Sequence, residues 1–239
     1  MTEVTFFTEF EELKLSLPPV PSREFWPEWF KNQRGNWEAE DGTKRMTVKS
    51  CPGILDVLCY GYIIPLWSDY MVVRVSPTRE NSNRHIGWRL PEGNDDKFFA
   101  GSHSGDQIDS YPFPPDTFHG TFKLVNPWSI RTSPGYSCYI TAPHYNKHPN
   151  LTTLSGIVDT DIYHEAHINT WFTAPLEEEI ILPYGMPVAQ IIPFKREEFE
   201  MKTEVGDHRT MINKMTQFVH KSKFAKQHYR KKLMINRYK

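Results

Sequence analysis

Apolar positions along this chain fall mostly in short runs of four to eight residues, broken by proline, glycine and small polar clusters. That texture predicts strands and turns ahead of helices. The run 57–64, closed by Pro65, and the β-branched run 70–75 read as strands. A polar turn over 78–83 then leads to 85–89, which makes a hairpin. Further strands are expected at 120–124, 136–141, 166–172, 179–182 and 188–193. Their spacing suits a sandwich or barrel better than βαβ units, which need helical patterns between strands. Residues 91–118, rich in proline and glycine and holding His103, Asp106 and Asp109, read as a long surface loop. Only the tail carries a helical period: Asp207 can cap a helix with Met211, Ile212, Met215, Phe218 and Val219 on one face.

The fold class expected is therefore mainly β, an antiparallel jelly roll or β-sandwich. It carries an irregular N-terminal arm and a C-terminal helix. The divisions are residues 1–50, an arm dense in proline and aromatics; 51–204, the β domain; and 205–239, a basic amphipathic helix. The arm holds Pro18, Pro19, Pro21 and Pro27 among Phe25, Trp26, Trp29 and Phe30. Its prolines block helix interiors and central strands while its aromatics demand burial.

Composition changes this picture little, and charge changes it more. The 239 residues are enough for one large β domain with appendages, and 14% are aromatic. The net charge of -1 hides an asymmetry: residues 205–239 hold 10 Lys or Arg against the single acid Asp207. That basic end, with Lys221, Lys223, Lys226, Arg230, Lys231 and Lys232 interleaved by Phe224 and Tyr229, can neutralise phosphates and stack on bases. It can equally dock on the acidic body of the same chain or of a neighbouring subunit. Three cysteines without a CxxC, and an N-terminus with neither a basic nor an apolar signal region, point to a reducing cytoplasm, in a cell or an infected cell. No apolar run approaches the ~20 residues that cross a bilayer, so no membrane partner is expected.

The segments 126–136 and 156–161, together with Gly185-Met186-Pro187-Val188-Ala189-Gln190, resemble a family of bacterial and phage proteins over roughly residues 50–194. The last two elements are also similar to turns of the trimeric dUTPases and dCTP deaminases, a Gly-x-Ile-Asp-x-Asp-Tyr turn and a later Gly-x-x-Ala-Gln turn. That resemblance implies a jelly roll of dUTPase-like kind, with a cupin-like one as the alternative, and puts Asp159 at the water-activating or sugar-contacting carboxylate. Tyr163 lies one place beyond the tyrosine that packs on the nucleoside. Arg131 to Gly135 stand loosely where an Arg-Ser turn would hold phosphates, and no glycine-rich C-terminal phosphate motif is present.

On chemistry alone, Asp159 and Asp161 are the candidate catalytic pair, since two close carboxylates raise one pKa or bind a hard cation. In a turn the same residues cap backbone amides instead. Arg131 is the anion contact, Tyr163 and Trp171 the stacking walls, and Gln190 a further ligand-binding residue. A divalent metal is the cofactor considered, with His164 and Asp161 as ligands. A 2-His-1-carboxylate site drawing on His103, His119, His144 or His164 with Asp159 or Asp161 is the wider version. His164 and His167 are three apart, which on a strand puts them on opposite faces. Cys51, Cys59 and Cys138 read as small hydrophobes. Two functions follow. The first is a non-enzymatic jelly-roll binding or structural protein, phage-encoded, oligomeric or virion-associated, with copies of itself or other phage proteins as partners. The alternative is an enzyme acting on a nucleotide or small metabolite at the Asp159 turn, a dUTPase-like hydrolase or a metal-dependent jelly-roll enzyme.

Overall fold

In the computed structural model the described residues are 2–76, 86–91, 98–103, 105–108, 110–206 and 209–210. The chain divides into two units, Met1–Arg196 and Glu197–Lys239. In the second, residues 197–206 have no regular structure and Arg209 and Thr210 are helical. The expected amphipathic helix, its cap Asp207 and the basic residues Lys221, Lys223, Lys226, Arg230, Lys231 and Lys232 lie outside the described residues.

The first unit is mainly antiparallel β with few, short helices. Its largest sheet runs Gly156–Val158, Tyr136–Thr141, Pro187–Lys195, Tyr62–Pro65, Val20–Pro21. A four-stranded sheet runs Leu151–Thr153, Ile168–Phe172, Thr121–Leu124, Ala100–His103, and a three-stranded one Glu179–Leu182, Tyr70–Arg74, Ile86–Arg89. All three feed one core. Ile64, Cys138, Ile140, Val188 and Ile191 come from the first sheet, Phe122, Leu124, Ile168 and Phe172 from the second, and Tyr70, Val72 and Leu182 from the third. The strand Ile168–Phe172 shows why it forms: Ile168, Thr170 and Phe172 are buried while Asn169 and Trp171 are partly exposed, the two-residue period of a strand with one face inward. Fully burying one phenylalanine such as Phe122 contributes roughly 3 kcal/mol.

Several expectations change. The apolar run 57–64 is not one strand: Pro52–Cys59 is an α-helix and only Tyr62–Pro65 is extended. Pro52 sits at the helix start, where its fixed φ suits the first turn and no amide is needed. Leu55 and Leu58, three apart, bury together on one helix face. An unbroken apolar run cannot distinguish the two states by period. Gly61, with φ +77, then reverses the chain into the strand.

The first 50 residues are more regular than a wrapping arm. Val4–Phe7 pairs with Ser129–Thr132, and Val20–Pro21 extends the edge of the five-stranded sheet, a position that tolerates proline. Phe30 is fully buried. The long 91–118 loop contains a strand, Ala100–His103, paired with Thr121–Leu124. The strands Tyr70–Arg74 and Ile86–Arg89 do pair, while the turn 78–83 and His85 lie outside the described residues.

Candidate functional site

The stretch 156–163 is two things in succession. Gly156–Val158 is an edge strand against Tyr136–Thr141, and the chain then turns, with the amides of Ile162 and Tyr163 donating to the Asp159 carbonyl. Thr160 anchors the turn. It is fully buried, its hydroxyl hydrogen-bonds that of Thr132 at 2.8 Å, and its carbonyl accepts from the Thr132 amide. The Ile130 amide donates to the His164 carbonyl, so the whole turn runs along Ser129–Thr132.

A neighbouring turn closes onto it. Ser133-Pro134-Gly135-Tyr136 is a type II turn in which proline presets φ and Gly135 takes φ +82, with the Tyr136 amide donating to the Ser133 carbonyl. The freed amide of Gly135 donates to Asp161 Oδ2 at 2.8 Å. Arg196, just past the end of Pro187–Lys195, completes the arrangement. Its amide donates to the Gly135 carbonyl, and its guanidinium forks onto Asp161 at 2.8 and 2.5 Å. The same Nη1 lies 3.2 Å from Asp159 Oδ1 and donates to Ser137 Oγ at 3.0 Å. Ser137 in turn donates to Asp159 at 2.6 Å. The Asp161 side chain is only 7% exposed, whereas that of Asp159 is 54% exposed.

Electrostatically the turn is a clasp. The Arg196 hydrogen bonds, and after them the Gly135 amide, hold the Asp161 pKa down at about 2, and Asp161 raises the pKa of Arg196. The sign is that of a depressed carboxylate. The clasp contributes stability above the unfolded pKa near 3.8, and that contribution is lost as pH falls through about 2. We therefore expect the Asp161 carboxyl carbon to titrate by NMR with a midpoint about 2 in the native protein. In Arg196→Met the midpoint should move up toward the ordinary range. A wild-type midpoint near 4, the ordinary aspartate value, would dispose of the clasp.

The other candidates sit elsewhere. Arg131 is exposed on the strand Ser129–Thr132, opposite Thr5 and next to Thr132, not in a phosphate-holding turn. Tyr163 is exposed on the turn, and His164 donates from Nδ1 to the Thr160 carbonyl at 3.0 Å while its ring meets Phe7. The oxygens of Asp161 are occupied by Arg196 and Gly135, so Asp161 and His164 do not form a ready metal pair. Among the described residues no group of three or more His, Cys, Asp or Glu is placed to hold a metal.

Trp171 joins a different cluster, with its ring 4.3 Å from Tyr111 and 6.0 Å from Phe113, which itself stacks on His119. Along that strand Trp171 Nε1, Asn169 Oδ1 and His167 Nδ1 are buried without hydrogen-bond partners among the described residues. Burial, followed by the charge of Lys123, lowers the His167 pKa. Gln190 is 1% exposed and its side chain turns to the chain's own backbone: Nε2 donates to the Val57 and Tyr60 carbonyls, and Oε1 accepts from His144. Arg196 and Ser137 are the residues that sequence reasoning missed. The one signal for Arg196 was its place as a cation closing an apolar strand, which says nothing of its partner.

No protein-family model and no curated protein matches the chain, so the resemblance of 50–194 to a bacterial and phage family has the motifs alone behind it. Among solved structures it is similar to an aspartate-to-asparagine mutant dUTPase from phage phi11 of S. aureus, reported for its coordination of a structural Mg(II) ion. Identity is 9%, covering 86% of this chain and 99% of that one, with a TM-score of 0.33. A likeness so slight carries no argument about the site. No helix among the described residues is long and apolar enough to cross a membrane.

Proposed function

We propose that this chain is a non-enzymatic jelly-roll protein that works by binding and assembly, as an oligomer or as part of a virion. One observation carries the reading: the carboxylates of Asp159 and Asp161, the pair named as catalytic candidates, are engaged by Arg196, Ser137 and Gly135. A general base or a metal ligand needs a lone pair and a charge to offer; Asp161 spends both on holding two turns together, and the half-exposed Asp159 has one oxygen turned to Ser137 and Arg196. The antiparallel sheets sharing one core suit a jelly roll. Phe7, Ile157, Ile162 and Tyr163 are all exposed on the turn or on strands beside it, which is apolar surface that assembly would cover.

Light scattering of the full chain over an about hundredfold concentration range tests this. The expected result is a mass above that of one chain, reduced in Ile162→Asp. A monomer throughout would overturn the proposal. So would Mg²⁺-dependent nucleotide hydrolysis abolished by Asp159→Asn, since Asp159 keeps an exposed carboxylate and that result would install the enzyme reading in its place.

A further inference from the structure

A cleft of about 390 Å³ lies away from the clasp, between the loop 142–148, the strand Leu151–Thr153 and the segment 186–188. Its volume is within the range of small-molecule sites. Leu151, Met186 and Val188 give it buried apolar walls. Its lining includes Lys147, His144 and His148 and no acid. Lys147 has no hydrogen-bond or ion-pair partner among the described residues.

The two histidines are held in opposite senses. Gln190 Nε2 must be the amide nitrogen, because it donates to two carbonyls, Val57 at 2.9 Å and Tyr60 at 2.7 Å. Oε1 is then an acceptor, taking the His144 amide at 3.1 Å and His144 Nδ1 at 2.9 Å. His144 therefore carries its proton on Nδ1, and in its neutral form Nε2 presents a lone pair. At His148 the Asn150 amide donates to Nδ1 at 3.2 Å, which leaves the neutral ring's proton on Nε2. Burial lowers the His148 pKa, in keeping with that neutral ring.

The loop that carries them is built rather than slack. Tyr145 holds φ +59, uncommon outside glycine, and its carbonyl accepts Trp29 Nε1 at 2.8 Å while the two rings meet edge-on. Asn150 is tied twice to Thr173, Nδ2 to the Thr173 carbonyl and its own carbonyl to the Thr173 amide. These pins come from outside the cleft, so they fix its shape before any ligand arrives, which is what a specific site requires.

We propose that this cleft binds a small organic anion, a carboxylate or a phosphate monoester with an apolar body and one hydroxyl or amino donor. Lys147 and the His148 N–H take the anion, His144 Nε2 accepts from the donor, and the wall of Leu151, Met186 and Val188 covers the apolar part. This goes beyond the assembly reading and does not depend on it, because none of these residues belongs to the turn 156–163.

Calorimetric titration of the full chain with 4-hydroxybenzoate, 4-hydroxyphenyl phosphate and the neutral 4-hydroxybenzyl alcohol tests it. Saturable binding of one anion or both at millimolar levels or better is expected, with at least about tenfold weaker binding of the alcohol. The carboxylate and phosphate arms decide which headgroup fits. Lys147→Met removes an exposed cation without touching the core and should weaken anion binding about tenfold while leaving the alcohol unchanged. Long-range ¹H–¹⁵N spectra should show His144 protonated on Nδ1 and His148 on Nε2, with both rings shifted by the bound anion. Binding of neither anion, equal binding of the alcohol, an unaffected Lys147→Met, or a His144 proton on Nε2 would each overturn the proposal.

Discussion

Gln190→Leu is expected to destabilise the fold by about 3 kcal/mol, although it replaces a buried polar side chain with an apolar one of similar size. Gln190 uses all of its hydrogen-bonding capacity on two carbonyls at the end of the helix Pro52–Cys59 and on two nitrogens of His144. Each bond contributes roughly 1 kcal/mol net, and the partners left behind lose more where water cannot reach them. The discount from four bonds comes from Tyr60 and His144, which are exposed enough to be rehydrated in part. Denaturant unfolding should show the loss as a lower midpoint with an unchanged slope. A cost under about 1 kcal/mol would mean that the helix and the loop 142–148 hold to the central strand without this side chain.

Gly61→Ala should be worse. A Cβ there would lie 2.1 Å from the Ile191 carbonyl oxygen and 3.0 Å from its carbon, both backbone, so no side chain can move aside. Residue 61 also holds φ +77, which costs an L-residue ~1 kcal/mol or more by itself. The strand Tyr62–Pro65 must therefore pull away from Pro187–Lys195, with a loss of roughly 4 kcal/mol or outright failure to fold. Gly42→Ala is the control, since φ is +76 there but nothing lies within 4 Å. If both variants unfold at similar denaturant, the tight contact between Gly61 and the central strand is not real.

These two positions also show what the sequence can and cannot disclose. The strand Ile168–Phe172 is legible because its inward and outward residues alternate, and 136–141 and 188–193 because β-branched and apolar residues cluster between turn formers. Over 54–64 every residue but Asp56 and Gly61 is apolar or aromatic, so helix and strand leave the same trace and only Pro52 and Gly61 mark the ends. The N-terminal segment reads as irregular because strands of two and four residues are too short for a period. Val4–Phe7 is recognisable only once Ser129–Thr132 offers it an edge.

For the candidate site, the nearness of Asp159 and Asp161 is visible in the chain, but their occupation is not. Arg196 is 35 residues beyond Asp161, and nothing local announces that a guanidinium will fork onto it. Gln190 attracts notice as the last residue of the Gly-x-x-Ala-Gln turn, and what satisfies it is the chain's own backbone and the His144 ring, which only packing discloses. Trp171 reads as a stacking wall and does lie among aromatic rings, those of its own protein.

Cys138 lies behind the clasp, fully buried, with its sulfur 3.3 Å from the Thr160 hydroxyl and its thiol pKa pushed up by burial. Such a thiol reacts only when the core around it parts, so Cys138 is a built-in clock for opening at the two turns. Once exposed Cys51 is replaced by serine, the slow phase of alkylation should quicken when Arg196 is removed and hold its rate when a distant exposed residue such as Leu15 is changed.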